Sequence, residues 1–279
     1  MSSTRRSFVK ALAAGAAAVP LSFAKPAFKV GVTDWNMRLA GKVEAVALAR
    51  KLGFDGVEVS LGRNAGENRL PLDKAEVQAQ YLAAAKEHKI ALAGTCLDIL
   101  HVNYLKNDKL GQKWVADGIP ITKKLNAKVM LMPFFGKGAL ATKEEMDYVG
   151  DLLRDLAPEA KKAGILLGLE DTISAEDNVR IMERSRSSVV KVYYDVGNST
   201  NNGFDPVKEI RWLGKDRICQ VHLKDKGYLG EGAIDFPKVV KALEEIGYKD
   251  FANLETSSPS KSIEADMARN LAFIRKLMV

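Results

Sequence analysis

The chain has 279 residues, 47% hydrophobic and 28% charged, with a formal net charge of +7. That length supports a full core without disulfide staples. Arg5, Arg6 and Lys10 supply three of the seven excess positive charges, so the remainder is only mildly basic. Its lysines and arginines are scattered rather than grouped, which gives no footing for nucleic-acid binding.

In chain order, the first 24 residues read as a targeting segment. Thr4-Arg5-Arg6-Ser7-Phe8-Val9-Lys10 is a twin-arginine (Tat) pattern, an alanine-rich stretch follows over 11–23, and Ser22-Phe23-Ala24 is a small-x-Ala cleavage site. The stretch is too short and too alanine-rich for a membrane span, so no stable membrane anchoring is expected. A frayed N-terminal helix is the alternative reading. The expected division is a Tat signal peptide over 1–24 and one domain over 25–279, with the Tat export machinery as a partner and the periplasm as destination.

Beyond it, apolar runs alternate with helical patterns. A strand at 29–33 precedes a helix at 43–52 that Gly53 stops, then a strand at 56–60, a helix at 74–88 and a strand at 91–96. The stretch 103–125 reads as an extra loop plus a helix. A strand at 129–132 is followed by the capping box Thr142-Lys143-Glu144-Glu145, which opens a helix ending near Gly164. Strands follow at 165–170, 190–194, 218–223 and 251–255. Asp205-Pro206 and Asp235-Phe236-Pro237 mark helix starts, and a helix over 262–277 closes the chain. Several of the eight runs are continuous and β-branched, as parallel strands buried on both faces should be.

Eight strand–helix units predict an α/β protein, a closed (β/α)8 TIM barrel in a single domain. The alternative is a doubly wound open sheet. Against it, no G-x-G-x-x-G follows the first strand, and Gly136-Lys137-Gly138 is too short and too late to be a phosphate loop. Cys96 and Cys219 fall in apolar runs and read as core residues rather than a disulfide, although the periplasm would permit one.

Active-site groups of such barrels sit at the C-terminal ends of the strands. Strand five ends in Glu170, strand six in Asp195, strand seven in His222 and strand eight in Glu255. A carboxylate straight after an apolar strand is costly to bury unpaired, and a divalent cation removes that cost. Singly, each is as easily a salt-bridge partner or a satisfied core histidine. Jointly they form a mixed oxygen and nitrogen set suited to Mn2+, Mg2+, Co2+ or Zn2+.

The runs Gly168-Leu169-Glu170-Asp171-Thr172, Tyr194-Asp195-Val196-Gly197-Asn198, Val221-His222-Leu223-Lys224-Asp225, Gly230-Glu231-Gly232-Ala233-Ile234-Asp235-Phe236 and Leu254-Glu255 resemble the sugar phosphate isomerase/epimerase family. That family lies in the xylose isomerase-like barrel superfamily, with ketose 3-epimerases and inosose dehydratases. The resemblance covers most of 25–279 and is densest over 165–256. It implies that Glu170, Asp195, His222 and Glu255 bind Mn2+ or a similar ion. It also implies that Glu170 and Glu255 act as acid and base, one removing a proton beside a carbonyl to give a metal-stabilised enediolate and the other returning it. Glu176 matches a substrate-contacting acid of the epimerases. Asn198 stands where they carry a histidine, and Tyr228 where they carry an arginine, so the sugar-binding shell carries over only in part.

Lys224 and Asp225 resemble the dehydratase and isomerase branches. Lys224 can polarise a substrate oxygen or hold a carboxylate, or it can pair with Asp225 at the rim. Glu58, read as ending strand two, is a candidate for a substrate hydroxyl, or an ion-pair partner of Arg63. Trp35 can stack on a sugar face or pack the barrel mouth, and His101 can serve as an extra acid or base or be solvated. Phe134 and Phe135 wall the pocket or cover the barrel edge.

The functional expectation is a metal-dependent isomerase or epimerase on an unphosphorylated sugar or polyol. The competing reading is a metal-dependent lyase or dehydratase, acting by β-elimination on a keto-sugar, keto-glycoside or inosose. A histidine-rich three-zinc endonuclease does not fit a chain with 3 histidines. Homo-oligomers are common where barrel mouths are shared, so one is a possible assembly.

Overall fold

The structure is a computed structural model that describes residues 27–278. The signal peptide expected over 1–24 lies outside the described residues. Eight parallel strands, each paired with the next and β8 with β1, close a barrel. The strands are β1 (Lys29–Thr33), β2 (Gly56–Ser60), β3 (Ala91–Cys96), β4 (Val129–Pro133), β5 (Leu166–Glu170), β6 (Val190–Asp195), β7 (Ile218–Leu223) and β8 (Phe251–Leu254). Each predicted strand is present, with bounds shifted by at most one residue.

The helices are α1 (Glu44–Leu52), α2 (Ala75–His88), α3 (Lys109–Lys124), α4 (Lys143–Ala163), α5 (Ala175–Ser185), α6 (Val196–Asn201), α7 (Pro206–Leu213), α8 (Phe236–Glu245) and α9 (Ile263–Leu277). The capping box forms as read, Thr142 accepting from the Glu145 amide and Glu145 reaching back to the Thr142 amide. Asp205 and Asp235 cap α7 and α8. The segment after β3 is a 3-10 turn (Asp98–His101), a loop and then α3. None of the described helices is long and apolar enough to cross a membrane.

Side chains along a strand alternate faces. The outward set, including Val57, Val59, Met130, Met132, Leu167, Leu169, Val190 and Val192, packs with the helices into the main core. The inward set is mixed. Cys96, Val129, Leu131, Tyr193 and Cys219 form a small apolar cluster, and both cysteines are buried and free. Around it stand buried polar residues, Glu58, Gln220, His222 and Asn253. Gly31 makes room for them, since a Cβ there would meet Asn253 Oδ1 at 2.0 Å.

Candidate active site

Glu170, Asp195, His222 and Glu255 share the inward parity at the C-terminal rim of four consecutive strands. One ligand atom from each lies within 4.8 Å of the others. His222 is fully buried; its Nδ1 is 2.9 Å from Glu170 Oε1, 3.6 Å from Glu255 Oε2 and 3.8 Å from Asp195 Oδ2. Two donors on one ion at roughly 2.1–2.2 Å are at most about 4.4 Å apart. The four therefore close on a single cation with sub-ångström movement.

Local structure aims each donor. Asp195 ends β6 and caps α6, its Oδ1 accepting from the Gly197 (2.7 Å) and Asn198 (2.8 Å) amides. Its Oδ2 is buried with no hydrogen-bond partner, although Lys224 Nζ lies 2.7 Å away off the hydrogen-bond direction. A buried carboxylate oxygen whose one close contact is a lysine ammonium, and which faces three other donors, occupies a position that a cation ligand would fill. The residues present fit a divalent ion.

Glu58 corrects the sequence reading. It was expected to end strand two and meet a substrate hydroxyl, or to pair with Arg63. β2 runs on to Ser60, so Glu58 lies one layer deeper and is fully buried. Its Oε2 takes His222 Nε2 at 2.8 Å and the Tyr193 hydroxyl at 2.7 Å, and Asn253 Nδ2 donates to it at 3.2 Å. With Nε2–H donating to Glu58, Nδ1 is the ring nitrogen turned toward the three carboxylates and would be the one available to a cation among them. Asn253 also donates to Gln220 Oε1 (3.1 Å), and Gln220 donates to the Ala93 carbonyl (2.6 Å), extending the network down the barrel.

Lys224 bridges two of the carboxylates, with Nζ 2.6 Å from Glu255 Oε2 and 2.7 Å from Asp195 Oδ2. It does not form the rim pair with Asp225. Its stem lies on Gly197, where a Cβ would come within 2.5 Å of Lys224 Cγ. Trp35 Nε1 donates to Glu255 Oε1 at 3.0 Å. Burial works against ionisation of Glu255, but His222, Lys224 and the Trp35 bond outweigh it and hold the carboxyl well below the usual range. Burial raises Glu170, and with the Glu255 charge it outweighs the His222 contact and the Lys224 charge that lower it. The two glutamates therefore differ in proton affinity.

A cavity of about 470 Å³ opens above the quartet. Glu170, Glu255, Asn198, Lys224, Trp35, His101, Phe135 and Arg63 are among its lining residues. Asn198 Nδ2 is buried without a partner. His101 stacks on Phe135 with ring centroids 6.0 Å apart, while Phe134 is buried in the core. Burial, with nearby Arg63, pushes the His101 imidazole below its ordinary value. Two expected contacts fall elsewhere. Glu176 is exposed in the first turn of α5, outside the cavity lining. Asp225 lines a neighbouring groove and spends its carboxylate on the Lys226, Gly230 and Gly232 amides, where it shapes the β7–α8 loop.

A family model described as xylose isomerase-like TIM barrel matches residues 46–277. The chain belongs to that family. An L-ribulose 3-epimerase of Mesorhizobium japonicum is 28% identical over 135 residues; the match spans 45% of each chain, less than half the relative's length. A D-psicose 3-epimerase from Clostridium cellulolyticum H10, solved with D-tagatose, superposes with a TM-score of 0.75 at 16% identity, covering 90% of this chain and 99% of that one. A 3-keto-D-glucoside 4-epimerase from E. coli superposes with a TM-score of 0.71 at 17% identity, covering 89% and 99%. At such identities the superpositions report the fold.

Sequence reading missed Asp98, which lines the cavity. Cys96 and Asp98 continue the inward parity of β3 past its end, and that two-residue offset was the available signal. It also missed Tyr193, Gln220 and Asn253, each two residues before a rim ligand.

Proposed function

We propose that the protein is a metal-dependent isomerase or epimerase acting on an unphosphorylated sugar or polyol. One observation carries this reading: Glu170 and Glu255 reach the same cavity from β5 and β8, on either side of His222 and within one candidate cation site. A divalent ion held by the quartet, Mn2+ in this reading, would supply Lewis acidity that lowers the barrier to removing a proton beside the substrate carbonyl. Glu255, held ionised by Lys224 and Trp35, takes that proton. Glu170 returns one at the other face or the neighbouring carbon. Lys224 holds Asp195 and Glu255 in place, and the unpartnered Asn198 amide offers a donor to a substrate hydroxyl.

The activities of the relatives, epimerisation of L-ribulose, D-psicose and a 3-keto-D-glucoside, support a carbohydrate substrate. The twin-arginine motif supports export to the periplasm, where neutral sugars outnumber sugar phosphates. Lys224 is committed to two carboxylates and is a poor phosphate anchor, which supports the same choice.

Metal analysis of the purified protein and deuterium uptake from solvent into hexoses, inositols and keto-glycosides test the reading. Glu170→Gln and Glu255→Gln should each lower the exchange rate about 10²–10⁴-fold. A metal-loaded wild type that exchanges no substrate proton would overturn the assignment. Release of an aglycone from a keto-glycoside would move it to the lyase class.

A further inference from the structure

The cavity has a second polar wall that the proposed chemistry does not use. Asp98 follows β3 and Ser60 ends β2, across the eight-stranded ring from the β6 and β7 ends that carry Asp195 and His222. Both sides line one space of about 470 Å³. The Ser60 hydroxyl donates to Asp98 Oδ2 at 2.5 Å and accepts from the Gly62 amide at 3.2 Å, so its proton is directed at the carboxylate. Ser60 is itself pinned, its amide donating to Asp34 Oδ2 at 3.0 Å; the same oxygen takes the Gly41 amide at 2.9 Å. A carboxylate has about four acceptor sites, and one serine bond leaves room for more. Trp35 and Phe135 line the cavity between the walls and suit the C–H faces of a sugar.

We propose that Asp98 is a second, metal-free pole of the substrate site: it accepts hydrogen bonds from neighbouring hydroxyls at the end of the sugar remote from the reacting carbonyl, and so selects polyhydroxylated substrates over short hydroxyketones. Ser60 and Asp34 are positioning residues that hold this carboxylate. The inference rests on the sugar isomerase reading and adds how that site measures the length and hydroxylation of its substrate.

The test is titration calorimetry on Mn2+-loaded protein, with D-fructose, D-psicose and D-tagatose as long probes and dihydroxyacetone as the short one. Hydrogen bonds to a charged group lead to an expected loss of about 10–100-fold in ketohexose affinity for Asp98→Asn. Dihydroxyacetone affinity and Mn2+ affinity should stay at wild-type values. Ser60→Ala, a milder change that guards against misfolding of the first variant, should give a smaller loss with the same selectivity. Equal ketohexose binding by wild type and Asp98→Asn would overturn the inference, as would a parallel loss for dihydroxyacetone. A wild type that takes up Mn2+ yet binds none of the probes would instead defeat the sugar reading, and this inference with it.

Discussion

His222 shows how one side chain is set to a task by what lies behind it. Burial opposes charge on the imidazole, yet Glu255, Glu170 and Glu58 surround it and hold its pKa well above the ordinary histidine value. Glu170, Glu255 and Asp195 each lie under 4 Å from Nδ1, and Glu58 is on Nε2. Glu58 thus orients the ring and raises its basicity without touching the cavity. Losing such a partner typically costs 10–100-fold in metal affinity. Glu58→Gln, which preserves volume, should weaken Mn2+ binding by about that factor, and a metal titration reads it directly. Unchanged affinity would reduce Glu58 to a space-filler.

This part of the site was only half legible. The four rim residues stood out because each followed a hydrophobic run and no apolar partner could explain a charge there. Glu58 was visible as an acid inside the strand read at 56–60, but treating it as the strand's end overlooked that Ser60 is the residue of the same parity at the rim. One layer separates a substrate contact from a buried partner of His222. Asp98 was hidden because β3 ends at Cys96 and the inward parity continues through a 3-10 turn, where no period-two pattern is expected.

At the scale of elements, the strands were readable because burial on both faces demands unbroken apolar runs, and the helix starts because caps are local chemistry. Loop geometry was not, since it depends on distant partners. Tyr228 is an example. It occupies a position expected to face substrate, but its hydroxyl donates to Asp266 Oδ1 (2.7 Å) in the first turn of α9. Asp266 also takes the hydroxyls of Ser258 (2.5 Å) and Ser260 (2.6 Å) and the Ser260 amide (3.1 Å). One carboxylate therefore ties the β7–α8 and β8–α9 loops to α9. Burial opposes its ionisation, but the Ser258, Ser260 and Tyr228 bonds prevail and hold its pKa at about 2.

An unfolded Asp titrates near 3.9, so the folded value is depressed. The resulting stabilisation is present above about pH 4 and is lost as pH falls toward 2. Asp266→Asn should cost on the order of 1–2 kcal/mol at pH 7, a drop of roughly 2–8 °C in Tm for a domain this size. The gap to wild type should narrow as pH is lowered from 5 to 3. Thermal melts across that range decide it; a gap independent of pH would assign the effect to packing.

For the whole molecule, the barrel interior holds a charge imbalance that only the rim can relieve. Glu58, Glu170, Asp195 and Glu255 converge on His222 and Lys224 inside a closed ring of strands. Burial raises both Glu170 and Asp195, so ionising them costs folding free energy in the absence of another cation. A divalent ion that binds the folded chain and not the unfolded one stabilises by RT ln(1 + [L]/Kd), about 2.7 kcal/mol at 100 Kd. For roughly 250 residues that corresponds to about 5–10 °C in Tm. Chelation should therefore lower Tm by that amount and added Mn2+ should restore it. Glu170→Gln separates this coupling from general stability. It keeps an acceptor for His222 while removing a carboxylate that is costly to bury, so its chelated Tm should equal or exceed that of chelated wild type. Its response to Mn2+ should be largely gone, since one of the three carboxylate ligands is missing. If chelated and Mn2+-loaded wild type melted together, the quartet would be an acid cluster balanced by Lys224 alone, and the metal site would have to be abandoned.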